Sequence, residues 1–236
     1  VFARATVFDP QAPPRKKRRY NLQREDYASL LARIDDQLQG LEVANPLLRA
    51  LLAEHGVTAE VLAARRAQYD AAQAEMSNRI IVAAAEASTV IAMNQARHAA
   101  EIAYGTFRQT ARVAFPDRTD AADIYLALQL TEAIPEATTL FVDRARLVLQ
   151  AAQCEPIAGG LAAATFDAVR VADVLAAIEA LDAAYKARRQ AHAAAVAATR
   201  KRNDTVRALR RAMRPIALAV SAVLRLHPTV NRPADW

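Results

Sequence analysis

The segment TRKRNDTVRALRRAMRP, residues 199 to 215, sets Arg200, Lys201, Arg202, Arg207, Arg210, Arg211 and Arg214 against one acid, Asp204. Such side chains bind anions: a guanidinium offers paired donors to phosphate or carboxylate oxygens, and an ammonium acts as a point charge. Stepping about 100° per residue puts Lys186, Arg189, Arg200, Arg207, Arg210, Arg211 and Arg214 within an arc of roughly 120°, with Arg188, Lys201 and Arg202 outside it. A second cationic run, Arg15, Lys16, Lys17, Arg18 and Arg19, lies near the start of the chain. A stripe of this kind can answer acidic helices of its own fold or face solvent, follow the phosphate backbone of a nucleic acid, or lie on an anionic lipid surface. Intramolecular or solvated use is favoured, because no aromatic residues are interleaved to stack on bases and no zinc or helix-turn-helix pattern is present.

Other chemistry is sparse. His55, His98, His192 and His227 sit on separate segments, no two at helical metal spacing, and His98 with Glu101 reverses the Glu-x-x-His order of di-iron bundles. No metal or cofactor is therefore expected, and His98 is assigned a surface or capping role. With five glycines the chain has few places for a phosphate loop or a nucleophile elbow, and no catalytic constellation is found. An enzyme is not expected. Cys154 has no second cysteine to pair with, which suits a reducing compartment, and reads as a small buried apolar side chain. Glu86, within IIVAAAEASTVIAM, either faces solvent among alanines, the preferred reading, or pairs with a basic residue of an opposing helix.

Alanine fills 58 of 236 positions, so helix formers dominate and the chain reads as all-α. No apolar run approaches the roughly 20 residues needed to span a bilayer, which points to a soluble, cytoplasmic protein. The chain opens at Val1, and no weight rests on that start. Residues 1–24, with Pro10, Pro13 and Pro14, read as a flexible basic arm. Tyr27, Leu30, Leu31, Ile34 and Leu38 mark one face of a helix ending near Gly40; Asn45-Pro46 opens a short helix that ends at His55-Gly56. Thr58 caps a segment free of proline as far as Phe115, long enough for one helix of about 85 Å. A short helix is expected over 120–130, another from Pro135 to about Gln153 with Leu140, Phe141, Leu147 and Val148 inward, then a break at 154–160. A second very long helix follows from Leu161, with Pro215 as a kink, ending at His227-Pro228.

AEVLAARRAQYDAA at 59–72 resembles ADVLAAIEALDAAY at 172–185, so an internal two-fold repeat is expected, with halves at 25–130 and 131–228 and a tail at 229–236. The architecture that buries these faces is an elongated antiparallel bundle of two very long helices with shorter helices against them. Its core would hold Ile80, Ile81, Val82, Val90, Ile91 and Met93 from one long helix and Val169, Val171, Val174, Leu175, Ile178 and Leu181 from the other. Coiled-coil stretches that outrun their partners would be covered by a second copy. The reading that follows is a non-enzymatic structural or protein-interaction bundle, a scaffold or adaptor. A nucleic-acid-binding protein using stripe and arm is the alternative, and a membrane-active helical protein the third.

Overall fold

In a computed structural model, residues 26–116 and 121–233 are described; the cationic run 15–19, the rest of the expected arm and residues 234–236 lie outside them. Every regular element among the described residues is a helix: α1 (Tyr27–Glu42), α2 (Pro46–Glu54), α3 (Ala59–Ala114), α4 (Ala122–Ala127), α5 (Thr138–Ala152), α6 (Ile157–Ala163) and α7 (Ala168–Leu226). Local chemistry sets the first boundaries. The Asp26 carboxylate accepts from Ser29 N–H at 2.8 Å, and that bond holds its pKa below the ordinary value. Asn45 accepts from Leu47 N–H at 2.9 Å with Pro46 in the first turn of α2, while Thr58 Oγ1 accepts from Val61 N–H at 3.4 Å at the start of α3. Gly56, with φ +79°, makes the left-handed turn that lets Val57 N–H return to the Leu52 carbonyl at 2.9 Å.

Several boundaries differ from the expected ones. Helix α1 passes through Gly40, which is buried, to Glu42. Helix α5 starts three residues after Pro135, and the expected break at 154–160 contains the first turn of α6, so α7 begins at Ala168 rather than Leu161. Pro215 lies inside α7.

The long helices α3 and α7 each contribute to two compact units, which do not follow chain order. The first unit comprises the described residues up to Tyr69 together with those from Ala212 onward. Its buried residues include Leu30, Leu31, Ile34 and Leu38 of α1, Leu48 and Leu52 of α2, and Met213, Ile216, Val220 and Val223 of α7, the last four at spacings of three and four. Arg66 of α3 ties this unit polarly, bonding Asp35 and, at 3.2 Å, Glu42 of α1.

The second unit spans Asp70–Arg211. Its core joins Ala100, Tyr104, Phe107 and Ala111 of α3, Tyr125 of α4, Phe141, Val142, Ala145, Val148 and Leu149 of α5, Leu161 of α6, and Val171, Val174, Ile178 and Leu181 of α7. The loop between α4 and α5 is held by arginines. Arg108, itself buried, donates through Nη2 to the carbonyls of Gln129 (3.1 Å), Leu130 (2.9 Å) and Glu132, and Arg112 reaches Leu130 O at 2.5 Å. Arg97 donates to the carbonyls of Pro135 (2.8 Å) and Glu136 (3.1 Å) while stacking over the Phe141 ring at 4.9 Å.

Beyond that core, residues 75–93 of α3 lie beside 188–201 of α7. Lys201 meets Glu75 at 2.6 Å, Thr199 accepts from Arg79 at 2.6 Å, His192 meets Glu86 at 2.8 Å, and Arg188 reaches Met93 Sδ at 3.5 Å. Positions rise along α3 as they fall along α7, so the helices run antiparallel. The expectation of a core at 80–93 is corrected here. Ile80, Ile81 and Ile91 are 70%, 68% and 60% exposed, while Val82, Val90 and Met93 are half-buried. One partner helix covers one side of α3, and the charged residues Glu75, Arg79 and Glu86 occupy that side. Val169, Leu140 and Leu147 are exposed as well, each on the outer side of its helix. Cys154, expected in the interior, is exposed in the turn after α5. The proposed duplication stays a sequence resemblance: two helices precede α3 and three differently sized ones precede α7.

Candidate functional site

Two surfaces of the second unit stand out. The first is the cationic stripe. Lys186, Arg189, Arg200, Arg207, Arg210 and Arg211 are all exposed, as is Arg214 on the stretch of α7 that belongs to the first unit. The opposite side of the same helix carries the buried residues Ala195, Ala198, Val206 and Leu209. The stripe therefore points away from α3. Carboxylate contacts to it come from α7 itself: Asp182 to Lys186 at 2.9 Å and Asp204 to Arg207 at 3.8 Å. Both lie one helical turn apart, with Lys186, Arg207 and Asp204 exposed and Asp182 half-buried, and are worth about 0.3–0.5 kcal/mol each.

Intramolecular neutralisation is carried out by other residues. Lys201, outside the arc, pairs with Glu75 across the helix pair. Arg146 of α5 bridges Glu179 (2.6 Å) and Asp182 (2.6 Å) of α7, and these bonds hold both carboxyls below their ordinary pKa and raise that of the guanidinium. Arg144 pairs with Glu132 at 2.7 Å. Acidic side chains of the central segments are thus answered by Arg144, Arg146 and Lys201, and the stripe keeps its charge for solvent.

The second surface is the outward side of α3 between Ala71 and Ala96. This stretch contains three charged residues, Glu75, Arg79 and Glu86, and all three contact α7. Glu86 is the informative case. Exposure was the preferred expectation; instead its carboxylate is partly covered and meets His192 Nδ1 on the opposing helix. The side of α3 facing away from α7 is left without charge over about 38 Å, and it carries Ile80, Ile81 and Ile91. Exposed apolar side chains clustered on one uncharged side are the usual mark of a contact surface.

Sequence reading located the stripe but assigned these isoleucines to the core. The signal that separates the cases is the placement of charge: Glu75, Arg79 and Glu86 fall within an arc of roughly 40° on a helical wheel, opposite the isoleucines. A helix whose charges share its inner contact has its apolar side outward.

Among the described residues no group of three or more His, Cys, Asp or Glu could hold a metal ion, and no helix is long and apolar enough to cross a membrane. A cavity of about 580 Å³ in the first unit lies between the end of α1, α2 and the start of α3, lined mainly by Leu41, Leu52, Val57, Leu62 and Ala63 with Glu42, Arg49 and Glu60 around it. Set against protein-family models, curated proteins and solved structures, the chain matches none of them, so its function has to be argued from these surfaces.

Proposed function

We propose that the protein is a non-enzymatic interaction protein, a cytoplasmic helical scaffold that engages a protein partner through the outward side of α3. The observation that carries this reading is the exposure of Ile80, Ile81 and Ile91 on a side of the helix with no charge. Leaving such residues in water forfeits roughly 1.5–3 kcal/mol for each one that a partner would fully bury. The rest of the second unit leaves that side open, with Glu75, Arg79 and Glu86 of α3 turned toward α7 and α4, α5 and α6 gathered at the other end of α3. The test is a photoreactive side chain at Ile81, and for comparison at exposed Gln153, in the cells that make the protein. Discrete adducts from position 81 and none from 153 are expected; no adduct from position 81 overturns the reading.

A second reading is favoured by the outward direction of the stripe: Lys186, Arg189, Arg200, Arg207, Arg210 and Arg211 offer exposed cations along α7 to a nucleic-acid backbone. Affinity for duplex DNA or RNA would then fall steeply between 50 and 200 mM salt, as released counterions require, by ~10-fold or more for even a few phosphate contacts. The Arg207→Glu, Arg211→Glu double variant is expected to abolish binding. Absence of binding by the unaltered protein at low salt removes this reading.

A further inference from the structure

The outward side of α3 has an internal symmetry. Gln73, Ser77, Ile80, Ala84, Ala87, Ile91, Asn94 and His98 follow one another at alternating spacings of four and three, the period of a coiled-coil seam, and all eight are exposed. Read from either end the seam has the same character: two polar residues, isoleucine, alanine, then alanine, isoleucine, two polar residues. Each pair of mates, Gln73 with His98, Ser77 with Asn94, Ile80 with Ile91 and Ala84 with Ala87, adds to the same sum of 171. A second α3 laid antiparallel places each residue on its mate, so polar meets polar, isoleucine meets isoleucine, and alanines meet at the two-fold axis. Isologous contacts require this self-complementarity, and alanine at the centre allows the axes to approach toward the lower end of the usual 8–10 Å.

Charge agrees with the same orientation. Residues 200–211 carry six basic residues and one acid, +5, and lie beside the start of the seam, where Lys201 meets Glu75 and Thr199 meets Arg79. Residues 131–182 carry three basic and eight acidic residues, −5, and approach α3 at the far end of the seam, where Arg97 binds the Pro135 and Glu136 carbonyls. Antiparallel pairing sets the basic end of one copy and the acidic end of the other at the same end of the dimer, a long-range complement only, because the stripe residues themselves point away from α3. Parallel pairing would put like beside like.

We propose that the chain forms a two-fold symmetric homodimer through an antiparallel α3–α3 seam from Gln73 to His98, centred between Ala84 and Ala87. The proposal rests on the reading of this side of α3 as an interaction surface and names its occupant as a second copy. A seam about 38 Å long and about 10 Å wide buries roughly 800 Å² over both copies, below the size of a standard stable interface. Association in the micromolar range is expected.

The test uses the full chain with Cys154→Ser, which removes the exposed native thiol. Sedimentation velocity over a concentration series should show a monomer–dimer equilibrium, and Ile80→Lys with Ile91→Lys should weaken it at least ~100-fold. Both positions are exposed in the single chain, so helicity and thermal melting should not change. Oxidation of a mixture of Ile80→Cys and Ile91→Cys chains should give the mixed disulfide. Ile80→Cys chains alone should stay uncrosslinked, because the two copies of residue 80 sit about 16 Å apart along the axis. A monomer at every concentration overturns the proposal, as does crosslinking of Ile80→Cys alone to the same extent as the mixture. If the protein is monomeric yet the photoreactive group at position 81 captures a different protein, the dimer fails and the interaction reading stands. If it captures nothing, both fail.

Discussion

Replacing Phe141 by alanine is expected to lower the stability of the second unit by about 3–5 kcal/mol, the range seen when a fully buried aromatic is truncated in a packed core. Phe141 is fully buried, sits edge-on to Tyr104 at 5.5 Å, and lies under the Arg97 guanidinium at 4.9 Å. It is therefore the point at which α5 is fastened to α3. Removing the ring leaves a cavity, takes away an aromatic pair worth about 0.5–1.5 kcal/mol beyond its area, and uncovers one side of a guanidinium whose other contacts are the Glu101 carboxylate, Thr138 Oγ1 and the Pro135 and Glu136 carbonyls. Denaturant unfolding followed by circular dichroism measures the total. Hydrogen exchange locates it: amides of α5 and of α3 near Tyr104 should lose protection, while those of α1 and α2, in the other unit, should not. A loss below 1 kcal/mol would show that α5 is held by something other than this ring.

Arg108→Met is expected to cost about 1–3 kcal/mol, through lost hydrogen bonds to the loop carbonyls, chiefly that of Glu132, rather than through lost volume. The methionine fills much of the space of the arginine stem, so the experiment isolates hydrogen bonding. Arg108 Nη2 meets three carbonyls, of Gln129, Leu130 and Glu132; Gln129 O also accepts from Glu132 N–H at 3.3 Å and Leu130 O from Arg112 at 2.5 Å, so the Glu132 carbonyl loses most. Gln129 is held with φ of 48°, a left-handed conformation that non-glycine residues adopt only when their surroundings enforce it. Burial lowers the pKa of the guanidinium, but an arginine so far above neutrality stays charged, so the effect should not change between pH 6 and 8. Arg108→Lys should recover part of the loss, since an ammonium donates to carbonyls but lacks the planar fork. If Met and Lys variants melt together with the unaltered protein, the α4–α5 loop does not depend on this residue.

These two residues also illustrate the limits of reading the chain. Phe141 follows Pro135 at the start of an apolar helical pattern, and its burial was legible; Leu140 and Leu147, assigned inward with it, are exposed because α5 buries the arc that contains Phe141, Val148 and Leu149. Arg108 looks like any surface cation on an alanine-rich helix. Only the return of the chain through 129–132 brings carbonyls to it, and nothing in local spacing announces that return.

Alanine content, the near absence of glycine and the placement of proline were enough for an all-α fold with two very long helices, because helix propensity and breakers act over short range. The cationic arc on α7 was equally legible, since the angle between residues on one helix follows from periodicity alone. Which way that arc faces depends on which side of α7 meets α3, and this was decided by contacts more than 100 residues apart, such as Lys201 with Glu75 and His192 with Glu86. The same contacts turned the richest apolar section of α3 outward. A hydrophobic pattern identifies a face that tends to leave water; whether the chain itself supplies the cover is settled by which other segments fold against it, and along residues 80–91 the described chain supplies a partner on the opposite side only.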